Sequence, residues 1–248
     1  MKKLLVVLLS LLMVLGLTAC SSDKPEPQPE PQPEPAPSAA NNYADYLAAD
    51  IDTELELLMS VQAHESWWDN KITVYAQDDD GGYLCYDMAC EESAVSALTE
   101  GTLIKVKGYK TEWSGELELA DATFEVIAGS YDGKVYDAVD CTSLCGDNEA
   151  LAKHMNAKTA FNGLEVVNYS YNWDGSGTRD DSDIYLNVIC PNGTEMVFVV
   201  RRYLTDNNSD VFQFVESLQP GDVVDLEAFM YWYEGPQARI YKIAKGSK

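Results

Sequence analysis

The sequence predicts an all-β chain with short helices, arranged as two tandem five-stranded Greek-key barrels. Three observations predict it. The stretch Leu98–Gly115 recurs as Leu218–Gly235; each copy runs from a turn glycine (Gly101, Gly221) through an alternating apolar strand to an aromatic tip and a second turn glycine (Gly115, Gly235). Short runs of alternating apolar and polar residues, punctuated by Gly, Asn and Asp, fill the rest of each half, the period-two signature of half-buried strands. In each half one helical run falls between the third and fourth strands.

Taken in order, Thr53–Val61 is the first strand of the first half, followed by a polar loop, His64–Lys71, that carries Trp67 and Trp68. Ile72–Ala76 and Tyr83–Met88 are strands two and three. The acidic turn Asp78-Asp79-Asp80-Gly81-Gly82 joins them with hairpin chemistry suited to positive φ. Glu91–Leu98 is a short helix, the duplicated stretch is strand four, and Glu116–Ile127 is strand five. After a linker near Ser130–Gly133 the second half adds a front helix over Asp147–Met155, with Asp147 as its N-cap. Lys158–Tyr169 is its first strand, and a long loop runs to Asp183. Ile184–Ile189 and Glu195–Val200 align without a gap on strands two and three of the first half, and Asp210–Leu218 repeats the helix.

Five strands with a helix between the third and fourth is the order of an OB-fold barrel. The run Val74–Tyr86 also resembles the Gln-Asp-x-x-Gly-Gly strand–turn–strand of extracytoplasmic OB-fold domains in bacterial surface lipoproteins, here Gln77, Asp78, Gly81 and Gly82. That resemblance implies a fold and a location more than an activity. The second half, Ile189–Thr194, has lost the Gln, the Asp and the second Gly.

Residues 1–19 read as a signal peptide, with Lys2 and Lys3 before the apolar run Leu4–Leu17. Leu17-Thr18-Ala19-Cys20 resembles the lipobox of bacterial lipoproteins, which implies cleavage before Cys20 and lipidation of its sulfur, and a stable bilayer anchor. The Pro-x alternation of Lys24–Pro35 makes residues 20–42 an extended spacer, on the order of 50 Å long at about 3.1 Å per residue. The organisation expected is therefore a leader (1–19), a lipidated linker (20–42), a first barrel (43–130) and a second barrel (134–248), anchored to a bacterial membrane outside the cytoplasm.

Lys and Arg number 17 against 41 Asp and Glu, a formal charge of −24. Such a balance disfavours nucleic acid, because phosphate binding draws on Lys and Arg to release counterions. It also disfavours docking on anionic lipid. Cys85, Cys90, Cys141, Cys145 and Cys190 are odd in number, so at least one stays free within the chain. Local bridges, Cys85 with Cys90 or Cys141 with Cys145, are open alternatives.

The ligand surface of such a barrel lies on strands two and three and the adjoining loops. The aromatic residues of those loops are the candidate ligand-binding set: Trp67, Trp68 and Trp113 in the first half, Tyr171, Trp173, Trp232 and Tyr233 in the second. Flat rings with polar neighbours stack on a sugar or a base, although packing at the barrel mouth or between barrels uses them equally well. Asp174, Asp180, Asp181 and Asp183 share one loop whose oxygen-rich composition suits Ca²⁺, without EF-hand spacing. His64 and His154 have no neighbouring nucleophile, and no cofactor motif occurs, so catalysis finds little support. The leading expectation is a non-catalytic, lipid-anchored binding module for a glycan or similar polymer, with the second barrel favoured as the binder. A structural or adaptor protein contacting an envelope protein is the first alternative, and an OB-type nucleic-acid binder or nuclease the second.

Overall fold

The computed structural model describes residues 39–127 and 133–246; the leader, Cys20, the Pro-rich run and most of the Ser130–Gly133 linker lie outside them. Eleven strands are present among the described residues. β1 (Glu54–His64), β2 (Lys71–Gln77), β3 (Gly82–Ala89), β4 (Leu103–Trp113) and β5 (Glu116–Val126) close a barrel in the order β1-β2-β3-β5-β4. A short β6 (Val139–Asp140) then leads to β7 (Lys158–Tyr171), β8 (Ile184–Ile189), β9 (Glu195–Val200), β10 (Val223–Phe229) and β11 (Arg239–Lys245), in the order β10-β11-β9-β8-β7-β6. β10 also pairs with β7, which closes the second ring as β4 with β1 closes the first. In both rings the third and fifth strands meet in parallel through one residue pair, Cys85 with Leu119 and Val199 with Arg239. The expected pair of OB-fold-like barrels is the fold of the chain.

Alternation fixes which faces are buried. Ile184, Leu186 and Val188 of β8 point inward, as do Ile104 and Val106 of β4. Each barrel has its own core, one around Leu57, Val74 and Val106, the other around Phe161, Leu186 and Phe198. The turn glycines of the duplicated stretch adopt the left-handed backbone that the repeat anticipates, Gly101 at φ +85° and Gly221 at +88°, Gly115 at +91° and Gly235 at +153°.

Helices are short. α1 (Tyr43–Ala48) is capped by Asn42 in a capping box and drops Tyr46 into the first core. The predicted helix Glu91–Leu98 is a 3₁₀ turn over Glu92–Ala97. α2 (Asn148–Ala152) is shorter than expected but carries the predicted cap, Asp147 accepting from the Ala150 amide at 3.0 Å. α3 (Arg202–Thr205) is a single turn, and α4 (Asp210–Ser217) buries Phe212 and Val215.

The described residues belong to one compact unit, because the barrels share a seam. Tyr75 of β2 stacks on Phe229 of β10 with centroids 4.4 Å apart, and Leu84, Leu204 and Tyr241 pack around them. The Gln-Asp-x-x-Gly-Gly turn belongs to this seam, and its glycines are not at positive φ. Asp78 instead closes the turn by accepting from the Asp80 and Gly81 amides and from Tyr83 Oη. Gln77 Oε1 accepts from the Lys158 amide across the seam, 3.2 Å away. A Cβ on Gly81 would lie 2.1 Å from the Tyr43 ring, and one on Gly82 would lie 2.2 Å from the Ala157 nitrogen. Glycine is required there for close approach and not for turn chirality.

The Gly82 contact is with backbone, so no rotamer change relieves it. Gly82→Ala is expected to destabilise the chain by roughly 1–3 kcal/mol, the cost of overpacking a tight interior, or a melting-temperature drop of several degrees. Thermal unfolding followed by circular dichroism measures it; an unchanged midpoint would show that the seam yields without strain.

Candidate functional site

The seam opens on one side into a cleft of about 340 Å³. Its floor is the outer face of β2 and β3, with Thr73, Tyr75, Leu84 and Tyr86. Glu118 of β5 and Trp113 at the end of β4 form one wall. Glu65, Arg201, Tyr231 and Arg239 form the other, the last three from the second barrel. Tyr86 and Trp113 are 45% and 61% exposed, so their rings are free to meet a ligand. The same two rings and Glu118 also border a second hollow of about 660 Å³ on the first barrel, which continues past Lys71 and Asp69. The ligand surface is thus elongated, with rings standing at its middle.

Two arginines are held in the cleft by a ladder of carboxylates. Arg201 Nε donates to Glu65 Oε1 at 2.5 Å, and Arg201 Nη1 lies 3.4 Å from Asp183 Oδ2. Arg239 Nη1 approaches the same Asp183 oxygen at 3.8 Å, while Asp183 Oδ1 accepts the Arg202 amide at 2.9 Å. Tyr75 Oη donates to Glu65 at 3.4 Å. The Arg239 guanidinium sits over the Tyr231 ring, 4.0 Å from its centroid, which fixes its plane. Arg239 is only 7% exposed, and its Nε is a buried donor with no partner among the described residues. Arg201 and Arg239 stand against Glu65 and Asp183, so this pair of walls is near charge balance within a strongly acidic chain. Burial raises the Glu118 carboxyl above its ordinary range, with Thr111 opposing and Asp87 assisting.

The sequence-predicted aromatic residues are not gathered into one site. Trp113 lines the cleft. Trp67 is half-buried against the first core, its Nε1 donating to the Cys90 carbonyl at 2.8 Å. Trp68, 80% exposed, borders a separate hollow with Arg202 and Tyr203. Tyr171 packs on Phe212 and donates to Glu216 at 2.6 Å. Trp173 is exposed at a loop tip. Trp232 lies against Gly115 at the seam, and Tyr233 borders a hollow on β8 and β9 lined by Asn168, Asn187 and Gln237. The four acids of the 174–183 loop also part company. Asp174 accepts the Ser176 amide, Asp181 accepts from Thr178 and Ser182, and Asp183 holds the arginines. Among the described residues no three His, Cys, Asp or Glu side chains converge as metal ligands would.

Tyr231 is one of the loop aromatics that the sequence points to; Tyr86, Arg201 and Arg239 are not in the predicted set. In sequence Arg201 reads as a charge that salt-bridges acids or holds one anion, and nothing local signals that one loop acid, Asp183, holds both it and Arg239.

Beside the cleft, Glu116 opens β5 with no exposed surface. Its Oε2 accepts the Trp232 amide at 2.6 Å; Oε1 has no partner among the described residues, nor does Oδ1 of neighbouring Asn156. Burial pushes its carboxyl up to about 8, helped by Glu118, while the Trp232 amide, Asn156 and Arg239 pull the other way. In its acid form the carboxyl carries the proton that the two unpartnered acceptors, Glu116 Oε1 and Asn156 Oδ1, lack.

No protein-family model matches the chain, and no curated protein is similar to it in sequence. Among solved structures it is similar to a murine DNA-binding protein bound to double-stranded DNA, at 10% identity over 78% of this chain and 97% of that one, TM-score 0.38. It is also similar to the single-stranded DNA-binding protein of Thermus aquaticus, at 8% identity over 79% and 93%, TM-score 0.29. A replication protein A heterotrimer bound to single-stranded DNA matches at 8% identity over 86% and 70%, TM-score 0.31. These neighbours are DNA-binding proteins, so two expectations are corrected: nucleic acid as a disfavoured partner, and a glycan as the leading ligand. Net charge is a property of the whole surface and does not describe a particular cleft. At these identities and scores the neighbours do not fix a partner for this chain, which has to be read from its own residues.

A group whose acid form is favoured by folding costs stability once it ionises. For Glu116 the cost is absent below the unfolded value near 4.5, grows as pH rises, and is complete above about 8. Glu116→Gln, an uncharged isostere, is expected to match the parent near pH 5 and to exceed it near pH 9, by on the order of 4 kcal/mol. Denaturant midpoints at the two pH values measure this; a parallel shift of both proteins would show that the ionised carboxylate is tolerated.

Proposed function

We propose that the seam cleft binds a short single-stranded stretch of nucleic acid, by stacking bases more than by neutralising phosphates. The observation that carries this reading is the pairing of two exposed rings, Tyr86 and Trp113, with the guanidiniums of Arg201 and Arg239 on the opposite wall of one cleft. Rings of this exposure accept any base face, and an arginine donor suits a phosphate or carbonyl oxygen. The elongated hollow on either side of Trp113 supports a strand over a compact small molecule. Glu65 is tied to Arg201 and Tyr75, and Asp183 to Arg201 and Arg239, which suits holding a ligand rather than transforming it. The lipobox-like Leu17–Cys20 supports an extracytoplasmic, lipid-anchored site of action, with the ligand met outside the cytoplasm.

The physical consequence is a weak dependence on salt. With two arginines available, a plot of log affinity against log salt should be no steeper than about −1.4, at roughly −0.7 per phosphate neutralised on a single strand. Trp113→Ala should weaken binding of a labelled thymidine hexanucleotide by roughly 5- to 150-fold, the range for loss of one base–aromatic stack. Fluorescence anisotropy titration over a salt series checks both. Absence of binding at low salt would sink the reading, and unchanged affinity in Trp113→Ala would move the site off this cleft.

A further inference from the structure

We infer that Cys145 and Cys190 form a redox-modifiable thiol pair that closes to a disulfide, fastening the turn before α2 to the β8–β9 hairpin. Cys145 ends the 3₁₀ turn Thr142–Leu144, and Cys190 begins the hairpin turn after β8. The two backbones are already clamped together. Asn192 Nδ2 donates to the Cys145 carbonyl at 2.8 Å, and a Cβ on Gly146 would lie 2.9 Å from Thr194 Cγ2. The hairpin turn is itself rigid, with Cys190 N donating to the Thr194 carbonyl and Gly193 N to the Cys190 carbonyl, both at 2.8 Å. Both thiols lie buried in the second core, close enough that each affects the other's ionisation.

The remaining described cysteines are placed otherwise. Cys85 donates to the Met59 sulfur at 3.8 Å inside the first core, and Cys90 donates to the Glu91 carbonyl at 3.4 Å. Cys141 is fully buried at the opposite end of the 3₁₀ turn from Cys145. The local bridges open from sequence, Cys85 with Cys90 and Cys141 with Cys145, are therefore not the contacts that the fold prepares.

The reaction requires an oxidant, which we take to be a low-molecular-weight disulfide. The Cys145 thiolate attacks one of its sulfurs, expelling one thiolate and leaving a mixed disulfide. Cys190 then loses its proton and attacks the Cys145 sulfur, expelling the second thiolate. Two protein thiols are oxidised, one donor disulfide is reduced to two thiols, and the protein becomes lighter by two hydrogens. Cys145, 5% exposed against 2% for Cys190, is the more accessible sulfur and attacks first. Burial raises both thiols, and the neighbouring Cys145 adds to the rise at Cys190. The bridge bears on the seam, since the segment it fastens ends at Asn156, whose Nδ2 donates to the Leu117 carbonyl of the first barrel at 2.9 Å.

The test is peptide mapping of the full chain after equilibration with oxidised glutathione, alkylation and digestion without reductant. The expected result is one cross-linked pair containing Cys145 and Cys190, with Cys85, Cys90 and Cys141 alkylated. Cys141→Ser should keep the link and Cys190→Ser abolish it. Oxidation should raise the melting temperature of the parent by several degrees and leave Cys190→Ser unmoved. A Cys141–Cys145 link, or full alkylation of Cys145 and Cys190 at equilibrium, would overturn the inference. Because the mapping is read on the unsubstituted chain, it does not depend on whether a serine variant folds, nor on whether the cleft binds nucleic acid.

Discussion

The cleft exists because two barrels with separate cores are held in one arrangement along a seam whose centre is the stack of Tyr75 on Phe229. Tyr75 is an outward residue of β2, on the face that an isolated OB-fold barrel leaves to solvent or ligand. Here part of that face is covered by Phe229, Leu204 and Tyr241, and only the part around Thr73 and Tyr86 stays open. Covering it buries a stacked pair worth about 0.5–1.5 kcal/mol beyond its area, and brings Arg201 and Arg239 of the other barrel to its edge. Seam and site are therefore one construction, and substitutions in the seam are expected to report on both.

Most of the fold was legible in the sequence because barrel strands obey a short-range rule. Alternation at period two places Ile184, Leu186 and Val188 on one face whatever lies beyond, and Gly101 and Gly221 mark the same backbone turn in both halves. The misses have a common cause. α1, β6 and α3 are too short to have a period, and are held by tertiary contacts such as Tyr46 entering the first core. The Asp80-Gly81 turn was misread because glycine serves two physical ends, positive φ and close approach, which one sequence cannot separate. That distinction also accounts for the difference between the two halves. Gln77 and Gly82 meet the second barrel, so the turn that docks carries them; among the described residues Ile189–Thr194 docks on no further barrel.

The site was less legible, for reasons of sequence distance. Arg201 meets Glu65 from across the chain, and Asp183 reads as one more acid in a loop whose composition suggested a cation. In the structure that acid is the hub for Arg201 and Arg239. Counting aromatic residues in loops found Trp113 and missed Tyr86, because Tyr86 occupies a strand and looked like core. Trp67 and Trp232, which looked like ligand rings, are packing residues: the Trp67 indole donates to the Cys90 carbonyl, and the Trp232 ring lies against Gly115. A loop aromatic and a core aromatic are told apart by what lies above the ring, which is a tertiary fact.

Electrostatics decides what kind of binding such a cleft can perform. An excess of acids over the whole surface raises the cost of drawing in a polyanion, and a few arginines cannot offset it at long range, where salt screens within about 8–10 Å. Inside the cleft the balance differs, because Arg201 and Arg239 are held by Glu65 and Asp183 at short range and are shielded from the rest of the surface. Those carboxylates limit the net positive charge available, so phosphate attraction is small. They also fix the guanidinium planes, so the two arginines are oriented before a ligand arrives and little side-chain entropy is lost on binding. On the proposed reading, affinity in such a site would come from ring faces and oriented guanidiniums. It would therefore favour a short, flexible strand whose bases can turn inward, over a duplex whose bases are already stacked and whose outer surface is phosphate.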